Sequence, residues 1–359
     1  MKLWDLPTPA VLVDAGALRA NVQRMADRAE ALGVSLRPHV KTHKCVEIAV
    51  MQRQAGARGL SVSTLREAEV FADHGFDDLT LAIPIAPARA ADAEKLSERA
   101  TLRLVADSDE ALDALEHRQF PLRVWLKVDC GYGRAGVDPN RPEARALAVR
   151  LARSRRLIFE GLLTHAGHSY WSKDRADLQR IAEQERSALV ELAESLRKVE
   201  GVEVPALSVG STPTMSAVRS LQGVNEVRPG NYVFHDATQW KLGACELKDC
   251  ALTVLATVIS SPQGSDHSVV DAGALALSKD LGPVHLGHQS MGELLSPDGG
   301  GRVVSVTQEH GIVDRRLKVG SKVRILVNHS CLTAAEHDHY AVVDGEEVAG
   351  RWRIWRQRD

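Results

Sequence analysis

Two lysines and two histidines crowd one short turn of this 359-residue chain, Arg37-Pro38-His39-Val40-Lys41-Thr42-His43-Lys44. A lysine amine partly removed from water loses proton affinity and becomes a nucleophile toward a carbonyl or an aldehyde. The plain alternative is a basic turn facing solvent. Further along, Val209-Gly210-Ser211-Thr212-Pro213-Thr214 and Arg228-Pro229-Gly230-Asn231-Tyr232 are turns rich in glycine and hydroxyl groups. Turns of that kind expose backbone N–H groups to an anion. Near the C-terminus, Asn328-His329-Ser330-Cys331 follows a β-branched run. If that run continues as a strand, residues i and i+2 share a face, so His329 and Cys331 can offer a nitrogen and a sulfur to one metal ion. A buried cysteine beside a satisfied histidine is the competing reading.

One further motif, Gly131-Tyr132-Gly133-Arg134-Ala135-Gly136, matches the G-x-G-x-x-G of dinucleotide folds. Its context argues against that use. No helix opens behind the third glycine, because Val137-Asp138-Pro139-Asn140-Arg141-Pro142 intervenes, and the match lies mid-chain instead of in a first βα unit.

The elements that must position these residues follow a simple rhythm. Strand-like runs at 34–37, 59–63, 79–83, 101–106, 122–129, 157–165, 204–209 and 225–234 alternate with helical stretches rich in Ala and Arg. Eight such units predict an α/β fold, a (β/α)8 TIM-type barrel over residues 15–240. A doubly wound open sheet is the competitor. Active sites of such barrels lie just after the strands, and phosphate sits after strands seven and eight, where the two glycine-rich turns fall. From about residue 241 to 359 short β-branched runs punctuated by Gly, Pro and Asp predict an antiparallel β domain. The strand Pro9 to Asp14 precedes the first barrel helix, so segment 1–14 is expected to join that C-terminal sheet.

Composition removes several classes of function. Lys plus Arg number 45 and Asp plus Glu 47, for a net charge of -2, which gives no global attraction to nucleic acid or an anionic membrane. The 5 cysteines lack repeated C-x-x-C spacing and do not read as a disulfide framework or a zinc knuckle. Met1-Lys2-Leu3-Trp4-Asp5-Leu6-Pro7 meets an acid and a proline before any long apolar run, so a soluble, cytoplasmic protein is expected. Small-molecule chemistry is the default. An amine nucleophile after strand one and a phosphate cradle after strands seven and eight together point to a phosphorylated aldehyde held as a Schiff base, pyridoxal 5'-phosphate.

The ordered set of motifs resembles the D-threonine aldolase and D-serine dehydratase family, fold-type III enzymes similar to alanine racemase. The set comprises the Arg37–Lys44 run, Val128-Asp129-Cys130-Gly131-Tyr132-Gly133-Arg134, Thr164-His165-Ala166-Gly167-His168-Ser169-Tyr170, Gly210–Thr214 and Glu226–Tyr232. The resemblance implies that Lys41 carries the cofactor and Lys44 is structural or solvent-facing. It implies that Arg134 holds the cofactor's phenolic oxygen, that His165 and Tyr170 line its face, and that Ser211, Thr212, Gly230, Asn231 and Tyr232 hold its phosphate. By the same resemblance His329 and Cys331 ligate a divalent metal, zinc or manganese. Asp271–Asp280 and Gln308–Gly311 then shape the substrate pocket, and the enzyme is a homodimer. The expected activity is a lyase on D-β-hydroxy-α-amino acids, with retro-aldol cleavage of D-threonine placed first. Dehydration of D-serine or D-threo-3-hydroxyaspartate is the alternative, and an amino acid racemase ranks below both. A cysteine at the second metal position occurs with dehydratases of this group.

Overall fold

The computed structural model describes residues 1–295 and 300–356. Two compact units emerge, one made of Met25–Lys41 and Gln52–Gly230, the other of Met1–Arg24, Thr42–Met51 and Asn231–Arg356.

The first unit is built on eight parallel strands: β2 (Ser35–Leu36), β3 (Leu60–Val62), β4 (Asp78–Pro84), β5 (Thr101–Ala106), β6 (Leu122–Lys127), β7 (Leu157–Leu163), β8 (Leu207–Val209) and β9 (Glu226–Val227). Their order is β2-β9-β8-β7-β6-β5-β4-β3. The ends of that path meet, because Arg58 N donates to the Leu36 carbonyl, Ser61 N donates to the Pro38 carbonyl, and His39 bridges Ser61 in parallel. A closed eight-stranded parallel barrel results, so each of the eight expected strand positions holds a barrel strand. The strand expected at 225–234 is only Glu226–Val227, since Pro229 has no N–H to give a ladder and Gly230 favours a turn.

Local sequence explains the helices between the strands. Thr64, Ser108 and Asp174 each accept a first-turn N–H at a helix start. In the helix Arg175–Ser195 the buried residues are Leu178, Ile181, Ala182, Glu185, Leu189 and Leu192, a helical stripe in which one member is a carboxylate.

Charges also run through the barrel strands in sequence. Arg123 pairs with Glu160 Oε1 at 2.6 Å, and Glu160 Oε2 lies 2.9 Å from Arg103 Nε. Arg103 meets Asp78, whose Oδ1 is 2.5 Å from Arg37 Nη1. Arg37 Nε lies 2.6 Å from Glu226 Oε2, Glu226 Oε1 accepts from Ser208 Oγ at 2.7 Å, and Ser208 Oγ accepts from Arg228. Because β5 and β7 are not sheet neighbours, nor are β2 and β4, these pairs reach across the sheet interior.

The second unit carries a nine-stranded, mostly antiparallel sheet. Strand β1 (Ala10–Asp14) lies between β10 (Leu252–Ser260) and His339–Asp344, antiparallel to the first and parallel to the second. Val11, Leu12 and Val13 are buried there. Lys322–Leu326 pairs with β10 on its other side. Among the described residues no helix is long and apolar enough to cross a membrane.

Candidate active site

In the barrel unit, the residues after the strands form a positively charged setting. His165, just past β7, is held well below the usual histidine range by removal from water, reinforced by the fields of Lys127, Lys41, Arg134 and Arg228. It is therefore neutral at pH 7. Lys127, the last residue of β6, is brought down to about 7 by burial, then by Arg228 and Arg134. Arg228 is buried too, donating to Ser208 Oγ and to the Thr164 carbonyl. Four cations that act on one imidazole favour an anionic guest, and the phosphate and phenolic oxygens of pyridoxal phosphate fit that demand. Lys41 carries a primary amine, the type of group with which such an aldehyde reacts.

The loops are braced from behind. Glu185 Oε1 accepts from Ala166 N at 2.8 Å and from Gly210 N at 3.0 Å, while Oε2 accepts from Thr214 Oγ1 at 3.0 Å. This carboxylate ties the 164–170 loop to the 210–214 turn. Ser211 caps the helix Thr212–Ala217, with its N–H donated to Thr214 Oγ1 and its hydroxyl 3.0 Å from Ser169 Oγ. Gly210 has φ +108, and an added Cβ would sit 3.1 Å from Arg228 N, so glycine is required at this approach. Thr212 is buried and Gly230 half-buried.

The G-x-G-x-x-G turn is closed to phosphate. Asp129 Oδ1 accepts the N–H groups of Gly131, Tyr132 and Gly133 at 3.0, 2.8 and 3.1 Å, and Gly136 N donates to Asp107 Oδ2. The donors a dinucleotide would need are spent on the chain's own carboxylates. The turn instead presents Tyr132, whose ring lies 6.5 Å from that of His165 and 6.1 Å from that of His168. The Arg134 guanidinium stacks 5.1 Å from the Tyr132 ring centre. Tyr170, half-buried, lies in the one-turn helix Gly167–Trp171.

In the second unit His329 and Cys331 come together, but not by strand alternation. The strand ends at Leu326, and His329 is the N-cap of the helix Ser330–Glu336, with Cys331 in its first turn. The expected strand stops because Asp236, from another segment, supplies the cap. Its Oδ2 accepts from Ser330 N at 3.0 Å, which lets a helix begin and frees the His329 ring from capping duty. The imidazole of His329 faces Asp280, and Cys331 follows two residues on in the first turn of the same helix. Burial opposes charge on His329, yet Cys331 and Asp280 raise it well above the ordinary histidine range. Thr42 Oγ1 is 3.2 Å from Cys331 Sγ. A nitrogen and a sulfur donor suit a borderline-soft divalent ion. Among the described residues no three His, Cys, Asp or Glu side chains are placed to hold one ion together, so this pair would leave an ion open to water and substrate oxygens.

Asn231 and Tyr232 also fall in this unit. The Asn231 amide donates to Asp236 Oδ2 at 2.6 Å and to Ser330 Oγ at 3.0 Å, so its side chain is engaged within this unit. Tyr232 is fully buried. Lys44 is buried rather than solvent-facing, at φ 49, with its carbonyl accepting from Trp355 N. Four polar groups of these settings carried no motif in the sequence reading: the Lys127 amine, the Glu185 and Asp236 carboxylates, and Asp280 as a partner of His329. Glu185 had a signal, a carboxylate on an otherwise apolar helical stripe, and so did Lys127, a charge ending the strand Leu122–Lys127.

Residues 13–238 match the family described as the alanine racemase N-terminal domain, and residues 251–343 match the serine dehydratase domain. The chain belongs to that family. It is similar to the D-threo-3-hydroxyaspartate dehydratase of Delftia sp., 38% identical over 98% of this chain and 97% of the relative. It is 36% identical to the D-serine dehydratase of Dictyostelium discoideum, over 95% of this chain and 94% of that one. It is 28% identical to the D-threonine aldolase of an Arthrobacter species, covering 98% and 93%. Two solved structures of D-threo-3-hydroxyaspartate dehydratase superpose with TM-scores of 0.94 and 0.92 at 36% identity, the first covering 99% and 97% of the two chains, the second 99% of both. One is a His→Ala variant; the other replaces the cysteine two residues later by alanine and is metal-free. This member is a pyridoxal-phosphate-dependent lyase, as its aldolase and dehydratase relatives are.

Proposed function

We propose that this enzyme dehydrates D-configured β-hydroxy-α-amino acids, giving a keto acid and ammonia, with D-threo-3-hydroxyaspartate and D-serine as the substrate class. Retro-aldol cleavage, placed first from sequence, becomes the second reading. The observation that carries the choice is His329-Ser330-Cys331 at one helix start, the His-x-Cys spacing altered in the dehydratase variants. The identities lean the same way, 38% and 36% for dehydratases against 28% for an aldolase.

Pyridoxal phosphate, when bound, supplies an electron sink for charge developing at the substrate α-carbon. A divalent ion, when bound, supplies a Lewis acid for a departing β-hydroxyl. In this reading Lys41 Nζ carries the cofactor and removes the α-proton. Arg134 keeps the phenolic oxygen ionised, and Ser211, Thr212, Gly230, Asn231 and Tyr232 hold the phosphate. His165, neutral, and Tyr170 line the ring without competing for its anionic oxygens. His329 and Cys331 hold the ion, zinc before manganese because one donor is a thiolate. A homodimer belongs to the same reading, and sedimentation of the active enzyme measures it.

The test is a product balance with D-threo-3-hydroxyaspartate, D-serine and D-threonine. Equal keto acid and ammonia is expected; aldehyde and glycine would transfer the enzyme to the aldolases. Chelation, or Cys331→Ala, is expected to remove turnover and leave the bound cofactor's visible absorbance.

A further inference from the structure

We infer that Asp280 is a positioning residue for His329, fixing the imidazole so that Nε2 and not Nδ1 is the nitrogen offered to a metal; the inference rests on reading His329 and Cys331 as the metal pair. Asp280 Oδ2 lies 3.1 Å from His329 Nδ1. An ionised carboxylate has no proton to give, so in a neutral ring the hydrogen must sit on Nδ1 and the lone pair on Nε2. A free imidazole divides itself between two tautomers and turns about its χ2 bond. This one is held in one tautomer and one orientation.

The carboxylate is itself fixed. Its Oδ1 accepts from Gly282 N at 2.8 Å, and Asp280 N donates to Ser278 Oγ at 3.3 Å. The Asp280 carbonyl accepts from Asn328 Nδ2 at 2.8 Å, and the same amide donates to the Ser290 carbonyl. Asn328 is the residue immediately before His329, so one side chain clamps the backbone of the ligand to the loop that orients it. Gly282 has φ +73, and a Cβ there would come 3.1 Å from the Asn328 side chain. The glycine therefore permits the close approach. His329 is an N-cap whose side chain makes no capping bond, so capping does not draw its ring away from Asp280.

Outer carboxylates on metal-bound histidines typically govern metal affinity by about 10–100-fold. Zn2+ is titrated into cofactor-loaded, metal-stripped enzyme against a chromophoric chelator, for wild type, Asp280→Ala, Asp280→Asn and His329→Ala. Asp280→Ala is expected to weaken zinc by roughly 10–100-fold, and Asp280→Asn by less, since its amide oxygen still accepts while its charge is gone. Cofactor absorbance should not change in either. Cobalt loading gives a second readout: the thiolate-to-metal band persists through Cys331, and the ligand-field bands shift in the Asp280 variants. Zinc affinity within twofold of wild type in both Asp280 variants, with binding lost in His329→Ala, overturns the inference and keeps the metal pair. Zinc retained in His329→Ala overturns the metal pair itself, and the inference with it. Asp280→Asn keeps the test usable should the alanine variant fail to fold.

Discussion

Glu185→Ala removes a carboxylate that accepts three hydrogen bonds in a fully buried position, from Ala166 N, Gly210 N and Thr214 Oγ1. The hydroxyl can turn to the Ser211 carbonyl, 3.2 Å away, but the two amides have no such recourse. An orphaned buried N–H costs about 1–3 kcal/mol, so the local penalty is roughly 2–6 kcal/mol. Glu185→Gln behaves differently. Its Oε1 still takes both amides, and its Nε2 can donate to Thr214 Oγ1, which is also an acceptor. Burial already pushes the Glu185 carboxyl upward, so loss of the negative charge is no hardship. The assay is amide hydrogen exchange on the cofactor-free protein, read at Ala166 and Gly210. Protection should fall roughly 30- to 25,000-fold in the alanine variant, and under about tenfold in the glutamine variant. Cofactor affinity should follow the same order. A glutamine variant as damaged as the alanine variant would refute the acceptor argument, because it would make charge, not hydrogen-bond geometry, the working property.

Three further outcomes are expected. Lys127 has a folded pKa of about 7 against 10.5 in water, so between those values the unfolded chain binds the extra proton and stability rises with pH, by at most about 1.4 kcal/mol per unit; Lys127→Met should flatten that rise in unfolding titrations at pH 7, 8 and 9. Gly161 has φ +130, and a Cβ would lie 1.9 Å from the Ala206 carbonyl oxygen, so Gly161→Ala should cost at least about 2 kcal/mol and lower the urea midpoint. The Tyr340 hydroxyl donates to the His43 carbonyl at 2.7 Å; Tyr340→Phe should cost about 1 kcal/mol and speed exchange around residues 42–45.

Much of this fold was legible because its signals are local. The eight strand positions follow from short apolar runs, and their alternation with helices selects a barrel. Strand ends were less visible. At 225–234 hydrophobic residues continue through Tyr232, Val233 and Phe234, yet they lie in a single helical turn and beyond it, not in a ladder. The His329 and Cys331 pairing was foreseen with the wrong geometry. Strand alternation and a helix N-terminus both bring i and i+2 near each other, and the deciding group is Asp236, 93 residues earlier than His329. Asp280 was read as part of a pocket-shaping run and not as a partner of His329, for the same reason. Its partner lies 49 residues away, and no periodicity encodes a contact made by a loop.

The alternating charges across the barrel strands bind the fate of several positions together. Arg123, Arg103, Arg37 and Arg228 alternate with Glu160, Asp78 and Glu226, so each carboxylate serves two arginines, directly or, for Arg228, through Ser208. Neutralising Glu226 alone would leave Arg37 only Asp78 and would cut the relay through Ser208 to Arg228, whereas an apolar swap made at 37 and 226 together removes a cation and an anion in one step. Relatives that vary here should therefore change in matched sets, and single changes should be rare among them. Because the hydration that competes with such ion pairs weakens on heating, the barrel should also lose less of its cohesion with rising temperature than an apolar interior of the same size.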